Sequence, residues 1–295
     1  MNNIAAVIVT YNRKTLLEEC IHSLLSQTVP CDIMVINNAS TDGTDELMAS
    51  FESEPRVIHM RQSENLGGAG GFSVGTKLAY QAGYEYIWLM DDDCIPQQDA
   101  LEMFLAAGEK LGGNYGFLSS KVLYTDGSLC FTNIQRYPMR KLVTDFDSEL
   151  VPITYGTFVS MFFKREIVKE LGIPIKEFFI WSDDLEYCGR ISIAAKYPCY
   201  LCNRSVVYHK TKGNNGINIA IEAPERLPRF KYIYRNDVYV FRRHGLKGWC
   251  FLFVRMLYHI YKILRYSDGH KLEKIGMVVK GNIDGLTFNP EIEFP

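Results

Sequence analysis

Four short apolar runs occupy the first 91 residues of the chain, and a helix is predicted between each run and the next. They lie at residues 5–11, 32–37, 56–61 and 86–91. Apolar runs of this length, several of them rich in Val and Ile, are typical of buried strands. Their alternation with helices predicts a mostly parallel sheet in a layered α/β domain. Ligands of such sheets bind beyond the carboxyl ends of the strands, so the residues at those ends are the first candidates for a functional site.

The stretches between the runs supply the connecting helices. Apolar residues recur at helical spacing over 13–27, and residues 70–83 predict another helix. Between these two, Thr41 or Asp42 is expected to cap a third helix. Polar segments follow all four predicted strands, namely Thr10–Arg13, Asn37–Ser40, Asn65–Gly71 and Asp91–Asp93. We therefore expect the four strand ends to converge on one edge of the sheet.

The second half of the chain is less regular. Further strands and short helices are predicted up to about residue 210, and residues from Arg226 onward are mostly helical. Between Arg226 and Lys280 the chain has 13 Lys and Arg against three acidic residues, although the whole chain has a net charge of −2. We therefore predict an α/β domain at residues 1–225 and a basic, mainly helical region at residues 226–295.

Composition and charge argue against several classes of protein. The net charge of −2 provides no overall field that would attract nucleic acid. Basic side chains interrupt the apolar stretch at 248–266, which argues against a membrane-spanning helix, and the N-terminus has no leader pattern. Cys199 and Cys202 form a lone CxxC, which is more typical of packed reduced thiols than of a zinc site. These features predict a cytoplasmic protein.

Three consecutive aspartates, Asp91, Asp92 and Asp93, follow the fourth apolar run. A D-x-D pair offers the hard oxygen ligands that Mg²⁺ and Mn²⁺ bind together with substrate phosphates. A solvated turn whose aspartates cap a helix is the alternative. In the metal hypothesis a cation offsets the mutual repulsion of the carboxylates, with Asp91 and Asp93 as its ligands.

Residues 64–72, with the sequence ENLGGAGGF, have four glycines within five positions. Glycine lets a backbone approach a ligand closely and adopt positive φ, and a plain tight turn is the alternative. The spacing differs from the dinucleotide fingerprint G-x-G-x-x-G, and the stretch follows the third strand instead of the first.

Two further groups are candidates for chemistry. Asp183, Asp184 and Glu186 lie at the predicted start of a helix, where the helix dipole stabilises carboxylates without any function. A carboxylate at this place is also suited to be a general base. His209 ends a predicted strand. A lone histidine is more often structural, but the metal site proposed at the aspartates makes His209 a candidate ligand.

Six segments together resemble a known family: AVIVTYNR, VINNASTDGT, ENLGGAGGF, WLMDDD, FFIWSDDLEYCGR and VVYHKT. In this order and spacing they resemble the inverting family-2 glycosyltransferases of the GT-A fold, over about residues 4–211. The sequences of the glycine and aspartate segments are most similar to those of the bacterial galactofuranosyltransferase and rhamnosyltransferase branch, which builds surface polysaccharides. The resemblance implies a GT-A catalytic domain at 1–225, with a Rossmann-like, mostly parallel sheet.

The resemblance also implies roles for particular residues. Asp91, Asp93 and His209 would bind Mn²⁺ or Mg²⁺, Asp184 would be the catalytic base with Asp183 as the second candidate, and Trp181 would belong to the acceptor wall. The nucleotide sugar would be bound by Thr10, Asn12, Arg13, Asn38, Asn65, Gly67, Gly68, Gly70, Gly71 and Asp92. Many members of the family have aspartate where this chain has Asn37, which leaves the base of the nucleotide open.

The implied reaction moves a sugar, with UDP-galactofuranose as the favoured donor, to a hydroxyl of a growing, lipid-linked surface polysaccharide. Transfer of rhamnose, glucose or galactose by the same fold is an alternative, and so is a non-catalytic protein that binds sugar nucleotides. The stretch 249–266 pairs apolar with cationic residues, as in an interfacial helix on the inner face of the cell membrane. Packing of this helix on the catalytic domain or on a second subunit is the alternative, which leaves a homo-oligomer open.

Overall fold

In the computed structural model, which describes residues 3–138 and 141–295, nine strands form one mixed sheet in the order β3-β2-β1-β4-β8-β6-β9-β5, with β7 paired to β9. The strands are β1 (Ile4–Thr10), β2 (Asp32–Asn37), β3 (Val57–Arg61), β4 (Tyr86–Asp91), β5 (Cys94–Pro96), β6 (Leu118–Leu123), β7 (Leu150–Ile153), β8 (Met161–Lys164) and β9 (Cys199–His209). The helices are α1 (Lys14–Leu25), α2 (Thr44–Ser50), α3 (Gly67–Gln81), α4 (Ala100–Lys110), α5 (Arg165–Leu171), α6 (Asp183–Gly189), α7 (Phe230–Arg242), α8 (Gly245–Tyr266) and α9 (Lys271–Thr287).

The first four strands confirm the predicted parallel sheet. β1 pairs in parallel with both β2 and β4, and β2 pairs in parallel with β3. Successive side chains of β1 point to opposite faces. Ala6 and Ile8 pack with α1 and α4 in one core, whereas Val7 and Val9 pack with α3 in the other. Because both faces are covered, β1 and β2 are buried along their whole length and their sequences are almost continuously apolar.

Two helix starts differ from the prediction. α2 is capped by Gly43, at φ +87°, and not by Thr41 or Asp42. Asp42 instead accepts a hydrogen bond from the backbone N–H of Lys14 (2.9 Å). α3 begins at Gly67 and not at residue 70, so the glycine-rich stretch is the first turn of a helix and not a loop.

Two antiparallel strand pairs in the second half of the sheet shape the cavity described below. β8 lies next to β4 and antiparallel to it. The short β5 pairs antiparallel with the end of β9, so that Cys94 lies opposite His209. This pairing brings the end of β9 beside the aspartates that follow β4.

α7, α8 and α9 form the C-terminal part of the chain. Tyr239 of α7 packs in one apolar cluster with Ala69 of α3 and with Phe178, so these helices are in contact with the α/β part. The boundary between 225 and 226 stays a prediction. Among the described residues, no helix combines the length and the apolarity that a membrane crossing requires.

Candidate active site

A cavity of about 650 Å³ opens beyond the carboxyl ends of β1 and β4. The start of α3, the segment before α6 and the end of β9 complete its wall. Most of the side chains that the sequence singled out line it, namely Thr10, Arg13, Asn38, Asn65, Gly67, Gly68, Asp91, Asp92, Asp93, Trp181, Asp183, Asp184 and His209. The predicted convergence of the strand ends is therefore present in the fold.

Asp91, Asp93 and His209 form one group at the floor of the cavity. Their ligand atoms all lie within 4.8 Å of one another. His209 Nε2 is 3.0 Å from Asp93 Oδ1, and its Nδ1–H donates to Asn133 Oδ1 at 2.8 Å. The antiparallel pairing of β5 with β9 makes this contact between residues 116 positions apart. Asn133 fixes the ring so that Nε2 faces the carboxylates.

The middle aspartate points toward β1. Asp92 accepts a hydrogen bond from the hydroxyl of Thr10 (2.7 Å) and an ion pair from Arg13 (3.4 Å), while Arg13 also contacts Asp93. Two of the predicted nucleotide-binding residues therefore hold the aspartate cluster as well. Because Thr10 and Arg13 hold Asp92 toward β1, Asp91 and Asp93 are the two carboxylates that face His209.

Burial shapes the charges of this cluster. It raises the pKa of Asp91 to about 6, with the nearby charge of Asp93 acting in the same direction, and it raises the pKa of Asp92 to about 7. Burial also acts to raise the pKa of Asp93, but the hydrogen bonds and positive charges of His209 and Arg13 together outweigh burial, and the pKa is lowered. Burial acts to lower the pKa of His209, but its hydrogen bonds to Asp93 and Cys130 and the charges of Asp93 and Asp91 together outweigh burial and raise it. Two carboxylates and an oriented imidazole are a donor set that suits Mn²⁺ or Mg²⁺, and a cation would offset the negative charge gathered here.

The opposite wall is built from backbone and amide groups. Asn38 donates from Nδ2 to the carbonyl of Gly67 (2.9 Å), and Asn65 Oδ1 accepts from the N–H of Gly67 (2.8 Å). Asn38 Oδ1 is buried and has no hydrogen-bond partner among the described residues. A buried acceptor without a partner is costly, and a ligand that donates to it would remove that cost.

Three of the predicted donor-binding residues lie away from the cavity wall. Asn12, at φ +55°, accepts a hydrogen bond from the N–H of Thr41 (2.7 Å) and joins two loops. A side chain at Gly71 would clash with Val9 of β1, and one at Gly70 would clash with Leu66. These glycines therefore let α3 begin with a tight turn and lie close to the sheet, and only Gly67 and Gly68 reach the cavity.

Asn37 is also structural in this chain. Its Oδ1 accepts from the N–H of Ser40 (2.9 Å), and its Nδ2 donates to Asp45 (2.9 Å). The side chain is fully buried and is absent from the cavity wall. The neighbouring Asn38, and not Asn37, lines the cavity.

Asp183 and Asp184 begin α6 and both line the cavity. Burial, with the charge of Asp184 acting in the same direction, raises the pKa of Asp183 to about 8. Asp184 is only half-buried, and its Oδ1 accepts from the N–H of Leu185 (2.7 Å). Asp183 is thus mostly protonated near pH 7, which favours Asp184 as the acting carboxylate. Glu186 is paired with Arg190 and Arg243 and has a structural role.

Several cavity residues were not expected from the sequence: Tyr11, Thr132, Asn133, Arg136, Tyr155, Arg226, Arg229, Asp237 and Arg255. Tyr11 could have been found, because it lies between Thr10 and Arg13 at a strand end. Arg226 and Arg229 belong to the basic C-terminal part, which the charge distribution did single out. Asn133 comes from a turn with no pattern of its own, so no local signal points to it.

Comparison with solved structures identifies the fold. The fold is similar to that of GalNAc-T7 crystallised with UDP, GalNAc and Mn²⁺ (TM-score 0.61, 16% identity, covering 79% of this chain and 47% of that chain). It is also similar to the mannosyltransferase PcManGT of Pyrobaculum calidifontis in complex with GDP-Man and Mn²⁺ (TM-score 0.60, 14% identity, 97% of this chain and 87% of that chain). The fold is therefore that of the GT-A glycosyltransferases.

The family follows from the sequence match. The profile of glycosyl transferase family 2 matches residues 5–172, more than half of the chain, and the chain belongs to that family. Among curated proteins it is similar to galactofuranosyltransferase GlfT1 of Mycobacterium tuberculosis, with 27% identity over 282 residues, which cover 86% of this chain and 90% of that protein. The resemblance inferred from the six segments is confirmed, and the protein is a glycosyltransferase.

Proposed function

We propose that the protein transfers galactofuranose from UDP-galactofuranose to an acceptor hydroxyl, with inversion at the anomeric carbon and with Mn²⁺ or Mg²⁺ bound by Asp91, Asp93 and His209. The observation that carries this proposal is that a metal-ligand cluster and the carboxylate Asp184 line one cavity of about 650 Å³, a volume suited to a ligand of this size. The similarity to GlfT1 over most of both chains supports the choice of sugar.

The metal-binding end of the cavity serves the departing nucleotide. Asp91, Asp93 and His209 would hold a divalent ion there, and that ion would supply positive charge to offset the negative charge of the departing diphosphate. The chain's own contribution is to hold the ligands: Thr10 and Arg13 restrain Asp92 and Asp93, and Asn133 orients His209. The buried Oδ1 of Asn38 is an acceptor for an N–H group of the nucleotide base.

The start of α6 serves the acceptor. An attacking hydroxyl must lose its proton, and a carboxylate within hydrogen-bond reach accelerates this step by typically 10²–10⁴-fold. Asp184 is the candidate, because burial keeps its neighbour Asp183 protonated at neutral pH. Attack from the face opposite the diphosphate then inverts the anomeric configuration.

A panel of nucleotide sugars tests the proposal. We expect Mn²⁺-dependent release of UDP from UDP-galactofuranose, and no release when EDTA is added. Faster release from dTDP-rhamnose, UDP-glucose or UDP-galactose would contradict the donor assignment and keep the reaction class. A protein that binds UDP with Mn²⁺ but turns over none of these donors would be a sugar-nucleotide-binding module and not an enzyme.

The acceptor side of the proposal is a lipid-linked glycan at the inner face of the cell membrane. α8 has no acidic residue and contains Lys247, Lys262 and Arg265. Its outer face exposes large apolar side chains, among them Phe253 and Leu257, which are 59% and 48% exposed. Exposed aromatic and aliphatic side chains beside cations are complementary to an anionic bilayer. Arg255 of the same helix lines the cavity, so a membrane bound by α8 would lie close to the site.

Flotation with liposomes tests this surface. We expect the protein to float with vesicles that contain anionic lipid, less with neutral vesicles, and the double variant Phe253→Glu with Leu257→Glu to remain unbound. Leu142→Glu is the matched control, because Leu142 is an exposed apolar residue (41%) outside α8. Absence of flotation together with a dimer that the double variant dissociates would instead assign this face to a second copy of the chain.

A further inference from the structure

The segment that leads into α6 has an unusual backbone. Phe179, Trp181 and Ser182 all have positive φ, at +64°, +66° and +64°. Residues other than glycine rarely adopt this backbone conformation, which persists only where the surrounding structure imposes it. The next two residues are Asp183 and Asp184. The position of the candidate base therefore depends on whatever holds this strained segment.

Asn236 of α7 makes the central contacts to the segment. Its Nδ2 lies 2.9 Å from the carbonyl oxygen of Phe178, 3.1 Å from that of Ile180 and 2.9 Å from that of Trp181. The side chain is fully buried and does not line the cavity. Its Oδ1 accepts from the guanidinium of Arg235, which fixes the amide so that Nδ2 faces the segment. One side chain thus binds three backbone carbonyls within four residues.

Both neighbours of Asn236 hold the same segment. Arg235 donates from Nη2 to the carbonyl of Glu177 (2.5 Å). Asp237 accepts a hydrogen bond from the hydroxyl of Ser182 (2.6 Å), and its other oxygen is paired with Arg255 of α8 (2.7 Å). Three consecutive residues of α7 therefore contact residues 177–182 along their length.

The other side of the segment meets the first turn of α3. The carbonyl of Phe179 accepts from the N–H of Ala69 in the first turn of α3 (3.1 Å). A side chain at Gly67 would collide with that same carbonyl. The strained segment therefore lies between the start of α3 and α7. Of the α7 residues that contact it, Asn236 binds the longest part of the segment.

We infer that Asn236 is a positioning residue for the transfer reaction, which acts through the carbonyls of residues 178, 180 and 181 to keep Asp184 in place. The inference rests on the proposed function, since it takes Asp184 as the base. It makes α7 a part of the catalytic apparatus although α7 lies in the predicted C-terminal region. The metal ligands lie on β4, on β9 and in the turn after β4, and the hydrogen bonds of Asn236 to described residues reach none of these elements. The inference can therefore be tested separately from the metal site.

Asn236→Leu tests the inference, because leucine is close to asparagine in shape and cannot donate. We expect kcat for transfer to fall by roughly tenfold to a hundredfold, since small displacements of catalytic groups have effects of that size. The KM for the donor and the affinity for Mn²⁺ are expected to stay within about twofold of the wild-type values. The reason is that the metal ligands are held by contacts other than those of Asn236. Amide hydrogen exchange should become faster in residues 176–187 and stay unchanged in residues 86–96.

Val240→Ala is the matched control, because Val240 is also buried on α7 (6% exposed) and no hydrogen bond of the segment depends on its side chain. It should lower stability without a selective loss of kcat. If Asn236→Leu does not fold, Asn236→Ala removes the same hydrogen bonds with a smaller side chain that also cannot donate. An unchanged kcat beside an active wild type would overturn the inference and leave the proposed function intact. So would faster exchange throughout the chain together with loss of Mn²⁺ binding, which marks a merely structural residue. If the wild type transfers no sugar, the proposed function fails, whereas the exchange measurement still tests the hold on the segment.

Discussion

Asp93→Ala is expected to abolish Mn²⁺ binding and to reduce sugar transfer by at least about a thousandfold, while the protein remains folded. That factor corresponds to several kcal/mol of charge stabilisation, which is what a bound divalent ion supplies to a phosphoryl leaving group. Asp93 is the residue on which the cluster converges, since it contacts His209 Nε2 at 3.0 Å and also pairs with Arg13. Removal of the Asp93 carboxylate takes away a metal ligand, and it also leaves Arg13 and His209 without this partner.

Mn²⁺ binding can be measured by calorimetry in the absence of any donor, so the test does not depend on knowing the sugar. Asp32→Asn is the matched control. Asp32 is a buried carboxylate at the start of β2, away from the cavity wall, where it accepts a hydrogen bond from the hydroxyl of Tyr84 (2.7 Å). This variant should lose some stability and keep its Mn²⁺ affinity. An Asp93→Ala protein that binds Mn²⁺ as tightly as the wild type would refute the assignment of the metal site.

Asp184→Asn should give a protein that still binds the donor and Mn²⁺ but turns over about 10²–10⁴-fold more slowly, which is the range for loss of a general base. Asparagine keeps the shape of the side chain and cannot accept the proton of the attacking hydroxyl. Asp183→Asn is expected to have a much smaller effect near pH 7. Burial raises the pKa of Asp183 to about 8, so the wild-type residue is already neutral at that pH and the amide replaces an acid of the same charge.

The comparison of the two variants distinguishes the two candidate bases. Initial rates at saturating donor and acceptor, measured at pH 7 with Mn²⁺, give kcat for each. Donor affinity is measured separately with UDP and Mn²⁺. Near-normal kcat in Asp184→Asn together with a large loss in Asp183→Asn would assign the base to Asp183, and near-normal kcat in both would remove the base from this segment altogether.

Much of the fold and part of the site can be predicted from local patterns. The strands β1, β2 and β4 are buried on both faces, and strands of that kind need nearly continuous apolar sequences, so their limits can be predicted to within a residue or so. The polar residues after them follow from the same pattern, since parallel strands connected by helices place their carboxyl ends at one edge. The apolar run and the residues that follow it are thus enough to assign Asp91 and Asp93 to the edge of a sheet.

Glycine shows where such local inference ends. The stretch 67–71 suggests close approach to a ligand, and the pattern is the same whether the close neighbour is a nucleotide or another part of the protein. Gly67 and Gly68 face the cavity, whereas Gly71 makes room for Val9 of the sheet. The difference depends on how α3 lies on β1, which is a property of packing between distant segments.

The amino-acid sequence alone was sufficient for the α/β architecture, the family resemblance and the acidic cluster, because these depend on periodicity and on residues that are adjacent in the chain. It was not sufficient for the contact of His209 with Asp93, which requires the antiparallel register of β5 and β9. Nor could it assign Asn236 to the segment before Asp183, because those residues meet only when α7 packs against residues 177–182. Contacts of this kind join positions more than 50 residues apart, and no local periodicity encodes which distant partner a buried polar side chain will find.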